Sequence, residues 1–259
     1  MNSEQRPTIR ILHHMARSGG TLFSRCLGSM DGVVLLSEIH PLGIRTFNPL
    51  VQARCWYKLI SRKDMNWVKS TRPGFAEVIG LIERRCSEQG KVLILRDWSH
   101  LDYTGVPFTL PTYKSKLAAT LQDNFYLQRF STIRHPMDQW LSLMSFPLFR
   151  SKLGAAAFIM GYVQFSGLVK ETGFQKYEDL THDPDRVMKQ VCSGLDVEFD
   201  PAYSGRWKDY HNITGDNMPG GRGGQTIETL PRMQSDPSSQ EKLIALTEYH
   251  QLLESLGYD

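Results

Sequence analysis

The sequence predicts an α/β protein with a central, mainly parallel sheet between two layers of helices. Three observations carry that prediction. Short apolar runs bounded by turns alternate with stretches of helical periodicity. The runs are nearly continuous in apolar residues, as strands buried on both faces must be. The first run passes through a short Gly-containing turn straight into a helical pattern, giving the order strand, loop, helix.

In chain order, Ile9 to Met15 is the first strand, and the turn Ala16 to Thr21 follows it. Leu22, Phe23, Cys26, Leu27 and Met30 then recur at helical spacing. Val33 to Glu38 is a second strand, and Phe75, Val78, Ile79 and Ile82 mark a helix that stops near Gly90. Lys91 to Asp97 and Tyr126 to Ile133 are the third and fourth strands. Arg134-His135-Pro136 opens a helix that turns Leu141, Met144 and Leu148 inward, Pro being tolerated in a first turn. Phe174 to Tyr177 is a late strand, and Asp183 caps and Pro184 opens the helix after it. Residues 205–232 are Gly-rich and aperiodic and read as one long loop, a length that is uncommon without a function. Leu243, Leu246, Leu253 and Leu256 close the chain as one amphipathic helix. Residues 1–7 read as a flexible tail, and 1–259 as a single domain.

Composition narrows the function classes. A net charge of +3 without any block of like charges gives no polybasic surface for nucleic acid or membrane. The first ten residues lack a signal-peptide core and no apolar run is long enough to span a bilayer, so a cytoplasmic address is expected. Cys26, Cys55, Cys86 and Cys192 have neither disulfide-framework nor metal-ligand spacing, and no metal site is expected. The sequon Asn212-Ile213-Thr214 matters only in a secreted protein.

Two segments carry chemistry. In Arg17-Ser18-Gly19-Gly20-Thr21 the glycines let the backbone turn its N–H groups inward at a helix N-terminus, a geometry that binds phosphate or sulfate. Arg17 adds a permanent cation, and Ser18 and Thr21 add hydroxyls. The loop lacks GxxxxGK[ST] and so has no Lys-Ser/Thr pair for a nucleotide triphosphate and its magnesium. In the second segment Arg134 ends a strand and Ser142 lies two helical turns on, which lets both reach one anion.

Together these segments resemble the sulfotransferase family. Arg17 to Leu22 is similar to its 5′-phosphosulfate loop, [K/R]-S-G-T-T followed by an apolar residue, with Gly20 standing where the pattern has Thr. Arg134 to Ser142 is similar to its 3′-phosphate motif, R-x-P with a serine eight positions after the arginine. Phe174 to Leu180, followed by Asp183-Pro184, resembles its YEDL…DP segment, in which the tyrosine position, here Tyr177, contacts adenine. Arg17 in place of Lys looks like the tyrosylprotein and bacterial branches.

The resemblance implies a P-loop-like three-layer fold and sulfuryl transfer from 3′-phosphoadenosine 5′-phosphosulfate (PAPS), with adenosine 3′,5′-bisphosphate (PAP) as product and no metal. It implies a small-molecule, sugar or peptide acceptor, and nucleotide contacts from Arg17, Ser18, Gly19, Gly20, Thr21, Leu22, Arg134, Ser142 and Tyr177. Arg222, in Gly220 to Gly224, would belong to the basic loop that closes on the 3′-phosphate. Catalytic roles fall to Arg17 and to one of two bases. Branches with Arg in the first loop place a glutamate at the end of the next strand, which Glu38 matches, while cytosolic members place a histidine after the third strand, near His100. His40 lies close by, and Arg96 and Asp97 are candidate helpers around the sulfate. Two other readings are a P-loop-like nucleotide kinase, which the missing Lys-Ser/Thr opposes, and a non-catalytic adenosine-nucleotide-binding protein, which would have no need of a carboxylate beside the loop.

Overall fold

Alternation within the strands builds both faces of the sheet. In β1 (Thr8–His14), β2 (Val33–Ile39) and β3 (Val92–Asp97), Ile9, Ile11, Val34, Leu36, Leu93 and Leu95 point to one side. Leu12, Val33, Leu35 and Ile94 point to the other. Each set is buried under its own helices, which is the sandwiching that parallel strands require. These are features of a computed structural model, which describes residues 6–215, 226–229, 231 and 237–258.

With β4 (Tyr126–Ile133) and β5 (Phe174–Lys176) the strands form one parallel sheet in the order β2-β3-β1-β4-β5. One face is covered by helices Pro49–Tyr57, Phe75–Ser87 and Lys116–Leu121. The other is covered by Gly20–Gly28 and Pro184–Leu195. A third apolar cluster joins helices Pro136–Met144, Ala155–Thr172 and Thr247–Leu256. The order places β1 between β3 and β4, so the loops leaving the ends of β1, β2, β3 and β4 converge at one edge. Crevices at such carboxyl ends are where open α/β sheets bind ligands.

The three-layer α/β expectation is met, and the strands and the helices after β1 and after Asp183 stand where the sequence puts them; the helix opened by Pro136 ends at Met144, and Leu148, expected inward, is exposed on the separate helix Pro147–Lys152 that Pro147 starts. Asp183 accepts a hydrogen bond from the Arg186 N–H as the cap and Pro184 is the first helical residue. Some expectations differ. Residues 203–209 are helical rather than the start of a loop, as Tyr203–Arg206 and the 3₁₀ turn Trp207–Asp209, because Tyr203 and Trp207 anchor that stretch in the core. The end of the chain is two helices, Pro237–Ile244 and Thr247–Leu256, with an extended Leu246 between them. That break lets Leu243 and the Tyr249, Leu252 and Leu256 stripe all enter one cluster. Arg6 and Pro7, assigned to a tail, are tied down: Arg6 donates to the Gln122 carbonyl and Pro7 accepts from the Tyr126 N–H. Arg222 lies outside the described residues. All four cysteines are free, three of them buried.

Candidate active site at the strand ends

The loop after β1 is built for close approach. Gly19 has φ +84°, and a β-carbon there would fall 2.1 Å from the Tyr177 ring. Only glycine combines that left-handed conformation with that contact. Arg17 is also left-handed, at φ +65°. Helix Gly20–Gly28 begins immediately after; its Leu22 and Phe23 N–H groups donate back to the Gly19 carbonyl at 2.9 and 3.3 Å, so the N–H groups of Gly20 and Thr21 are the ones left without an intrahelical acceptor. The Ser18 hydroxyl donates to the Met15 carbonyl at 2.8 Å, closing the loop on the end of β1. Leu22 packs on the apolar cluster beneath.

The three motifs meet here. Arg17 Nε donates to Ser142 Oγ at 3.0 Å, while its guanidinium lies over the Phe146 ring, 4.4 Å from the centroid. Arg134 Nη1 reaches the Arg17 carbonyl at 3.4 Å, and the Arg134 guanidinium stands 4.8 Å from the centre of the Tyr177 ring. The Tyr162 hydroxyl donates to the Arg134 carbonyl at 2.5 Å and fixes the backbone there. Glu178 accepts from the His135 N–H at 2.8 Å, fastening the segment after β5 to the segment after β4. Arg17, Gly19, Arg134, Ser142 and Tyr177, up to 160 residues apart in sequence, therefore form one cationic, aromatic-lined corner. Arg134 Nε is buried and has no acceptor among the described residues, a donor suited to an anion.

Beside this corner lies a buried polar network that the motifs do not reveal. Arg96, at the end of β3, donates from Nε to His14 Nε2 at 2.7 Å, from Nη1 to Ser37 Oγ and the Thr214 carbonyl at 3.0 Å each, and from Nη2 to Thr21 Oγ1 at 3.3 Å. Accepting from Arg96 leaves the His14 proton on Nδ1. Burial first, and the Arg96 charge second, hold His14 well below the ordinary imidazole value. Its ring explains the glycine at position 20: a β-carbon on Gly20 would lie 1.7 Å from His14 Cδ2. Asp97 turns away from the loop to His13, with Nδ1 2.7 Å from Oδ2. Full burial alone would raise the Asp97 carboxyl pKa, but the His13 hydrogen bond and charge hold it below the usual range.

The candidate bases differ sharply. His100 Nε2 accepts the Trp98 indole N–H at 2.8 Å, so the lone pair a base needs is already engaged. Burial, with the Arg96 charge next, brings its pKa down to about 3. His40 accepts from the Leu42 N–H through Nδ1 and bonds Asp102 through Nε2, using both nitrogens. Glu38 is 8% exposed and occupies a bulge between Leu36 and Ile39 of β2, with φ +55°. Its Oε2 accepts from the Thr214 hydroxyl at 2.8 Å.

No protein-family profile matches the sequence, and comparison with curated proteins gives no match. Solved structures do match. The sulfotransferase domain of the Synechococcus PCC 7002 olefin synthase aligns over 99% of this chain and 97% of its own, at 20% identity and TM-score 0.68. The sulfotransferase domain from the curacin biosynthetic pathway covers 99% of each chain at 15% identity and TM-score 0.69. A sulfotransferase from Alicyclobacillus acidocaldarius covers 98% of this chain and 97% of its own at 14% identity and TM-score 0.51. The chain thus has the P-loop-like α/β fold of sulfotransferase domains, over essentially its full length.

The site residues missed from sequence are His14, Ser37 and Thr214. The signal for the first was the polar pair His13-His14 at the end of an otherwise apolar strand, which would be costly to bury without partners. Two predictions follow from the local geometry. Gly20→Thr, which restores the residue usual in the loop pattern, overpacks against His14 and costs about 1–3 kcal/mol. In a Gly20→Thr/His14→Ala double variant much of that loss is recovered, as urea denaturation of the four proteins would measure; additive losses would contradict the collision. Second, His14 and His100 are neutral when folded, whereas the unfolded chain protonates them near 6.5. Below that pH the unfolded state binds more protons, so stability is complete above about pH 6.5 and is lost as pH falls toward 3. The denaturation midpoint therefore drops between pH 7 and pH 5, and His100→Gln shrinks the drop.

Proposed function

We propose that this chain is a sulfotransferase that moves a sulfuryl group from PAPS to a hydroxyl or amine acceptor. The observation that carries the reading is the meeting of Arg17, Ser142, Arg134 and Tyr177 around Gly19 at the ends of β1 and β4. A loop rich in donors, a second arginine with a free buried N–H and an aromatic face match the two phosphate groups and the adenine of the nucleotide.

Bound PAPS supplies the sulfuryl group: its bond to the 5′-phosphate oxygen breaks, a bond from the acceptor oxygen or nitrogen to sulfur forms, and PAP departs. The protein has to position and to balance charge, because transfers of this kind pass through a loosely bonded transition state. Arg17 and the loop N–H groups stabilise negative charge on the leaving phosphate. Arg134 and Ser142 hold the 3′-phosphate, and Tyr177 supports the adenine. Glu38 takes the acceptor proton. His100 is a poor alternative because its lone pair is occupied by Trp98.

The acceptor is a small molecule, a sugar or a peptide. It enters beside Trp98, whose ring packs edge-on against Phe47 and Phe108, the latter 52% exposed. The free thiols fit the reducing cytoplasm expected from the sequence. No helix among the described residues is long and apolar enough to cross a membrane.

Two measurements test the reading. Calorimetry shows PAP binding tighter than AMP by about one to two decades, the worth of a charge-assisted contact of about 1.5–3 kcal/mol, and Arg134→Ala erases the difference. Equal affinities in the native protein would remove the 3′-phosphate role. With PAPS and a panel of a phenol, an aliphatic alcohol, a sugar and a tyrosyl peptide, Arg17→Ala lowers kcat more than it raises KM for PAPS. Glu38→Gln costs about two to four decades of rate while nucleotide affinity stays as it was. PAP binding without turnover of any acceptor would favour a non-catalytic nucleotide-binding protein.

A further inference from the structure

A glutamate on a regular β2 strand would be held by the ladder to β3, but Glu38 is not. The register between the two strands breaks between Leu36 and Ile39. The Ser37 backbone is satisfied by a side chain instead: its N–H donates to Gln52 Oε1 at 2.7 Å and its carbonyl accepts from Gln52 Nε2 at 2.8 Å. Glu38 follows in a left-handed conformation that a β-substituted residue adopts only under outside constraint. What aims its carboxylate has to come from elsewhere in the chain.

It comes from the strap at 210–215. The hydrogen-bond directions there are forced, because a carboxylate only accepts. The Thr214 hydroxyl must give its proton to Glu38 Oε2, at 2.8 Å. Thr214 Oγ1 then accepts from Ser37 Oγ, also at 2.8 Å. Ser37 Oγ in turn accepts from Arg96 Nη1 at 3.0 Å and from the Thr214 N–H at 3.1 Å. The result is a one-way donor chain, Arg96 to Ser37 to Thr214 to Glu38, and Arg96 also clamps the Thr214 carbonyl. Every hydroxyl in it is used in both senses, and such fully satisfied networks are rigid.

Gly215 completes the arrangement. At φ +84° it turns the strap away, and a β-carbon there would lie 3.0 Å from Glu38 Oε1, the oxygen that Thr214 does not engage. One carboxylate oxygen is anchored and the other is kept clear by a glycine.

We propose that Thr214, with Gly215 beside it, is a positioning residue for the general base: it fixes Glu38 Oε2 through the donor chain from Arg96, leaving Oε1 as the atom that takes the acceptor proton. This rests on Glu38 being the base, and it adds to that reading a second segment, with Thr214 176 residues away in sequence, without which the base is not aimed.

The test separates the two claims. In crystals of the PAP complex, Thr214→Val, isosteric but without the hydroxyl, displaces the Glu38 carboxylate, and Thr214→Ser leaves it in place. An unmoved carboxylate in Thr214→Val overturns the positioning role whether or not Glu38 is the base. In turnover of PAPS with the phenol, alcohol, sugar and tyrosyl-peptide panel, Thr214→Val lowers kcat about tenfold, the worth of one hydrogen bond to a charged group. KM for PAPS stays unchanged, Thr214→Ser restores the rate, and Gly215→Ala lowers it by crowding Oε1. In a Glu38→Gln background Thr214→Val has no further effect. An equal loss in both backgrounds overturns the proposal, whereas full activity of Glu38→Gln alone overturns the assignment of the base.

Discussion

A cation buried at the end of a central strand has to be surrounded by acceptors, and in this protein the surroundings of Arg96 organise the whole candidate site. Its guanidinium is 4% exposed at the end of β3 and reaches β1 through His14, β2 through Ser37, helix Gly20–Gly28 through Thr21 and the strap through Thr214. An uncompensated charge in that position would cost far more than any single contact returns. The partners are therefore mutually dependent. Burial first, and the Arg96 charge second, keep His14 neutral, and the orientation of Ser37 and Thr214 follows from serving as acceptors for Arg96.

The same constraint reaches the loop after β1 through packing. Because Arg96 holds the His14 ring by its Nε2, the ring edge lies where a side chain on the first helical residue would project, and glycine is the residue that fits. On the opposite side of the loop the Tyr177 ring leaves room only for Gly19. Two adjacent glycines thus have distinct causes: one yields to a histidine of the buried network, the other to the aromatic ring that stands beneath Arg134. A bulkier residue at either would move the backbone N–H groups on which anion binding depends.

Charge is divided between the two halves of the site. In the corner around Gly19, Arg17 and Arg134 are half-buried, each lies over an aromatic ring, and Arg134 Nε has no acceptor among the described residues. In the neighbouring polar network the cation Arg96 is committed to the protein, the nearby imidazoles His14 and His100 are held neutral, and Glu38 stands on its bulge. Arg134 Nε, without an acceptor among the described residues, suits an anion. At Glu38 the Thr214 hydroxyl fixes Oε2, the geometry on which the proposed base role rests.

Sequence alone determined the layered α/β fold, since continuous apolar runs alternating with 3.6-residue periodicity can be buried only as a sheet between helices. It also singled out residues that the fold brings together around Gly19, because Arg17-Ser18-Gly19-Gly20-Thr21, Arg134 to Ser142 and Tyr177 are local motifs legible without the fold. The helical start of the 205–232 stretch and the break at Leu246 escaped it, because both are set by which apolar side chains reach the core, not by local periodicity. Only tertiary structure showed the state of His100: nothing near it in the chain indicates that its lone pair is spent on Trp98 two residues earlier, since that depends on how the turn after β3 folds. It likewise decided that Arg96, His14, Ser37 and Thr214 act together. Their contacts span sequence separations from 59 to 177 residues, and they exist because β1 lies beside β3, β3 lies beside β2, and the strap returns across their ends.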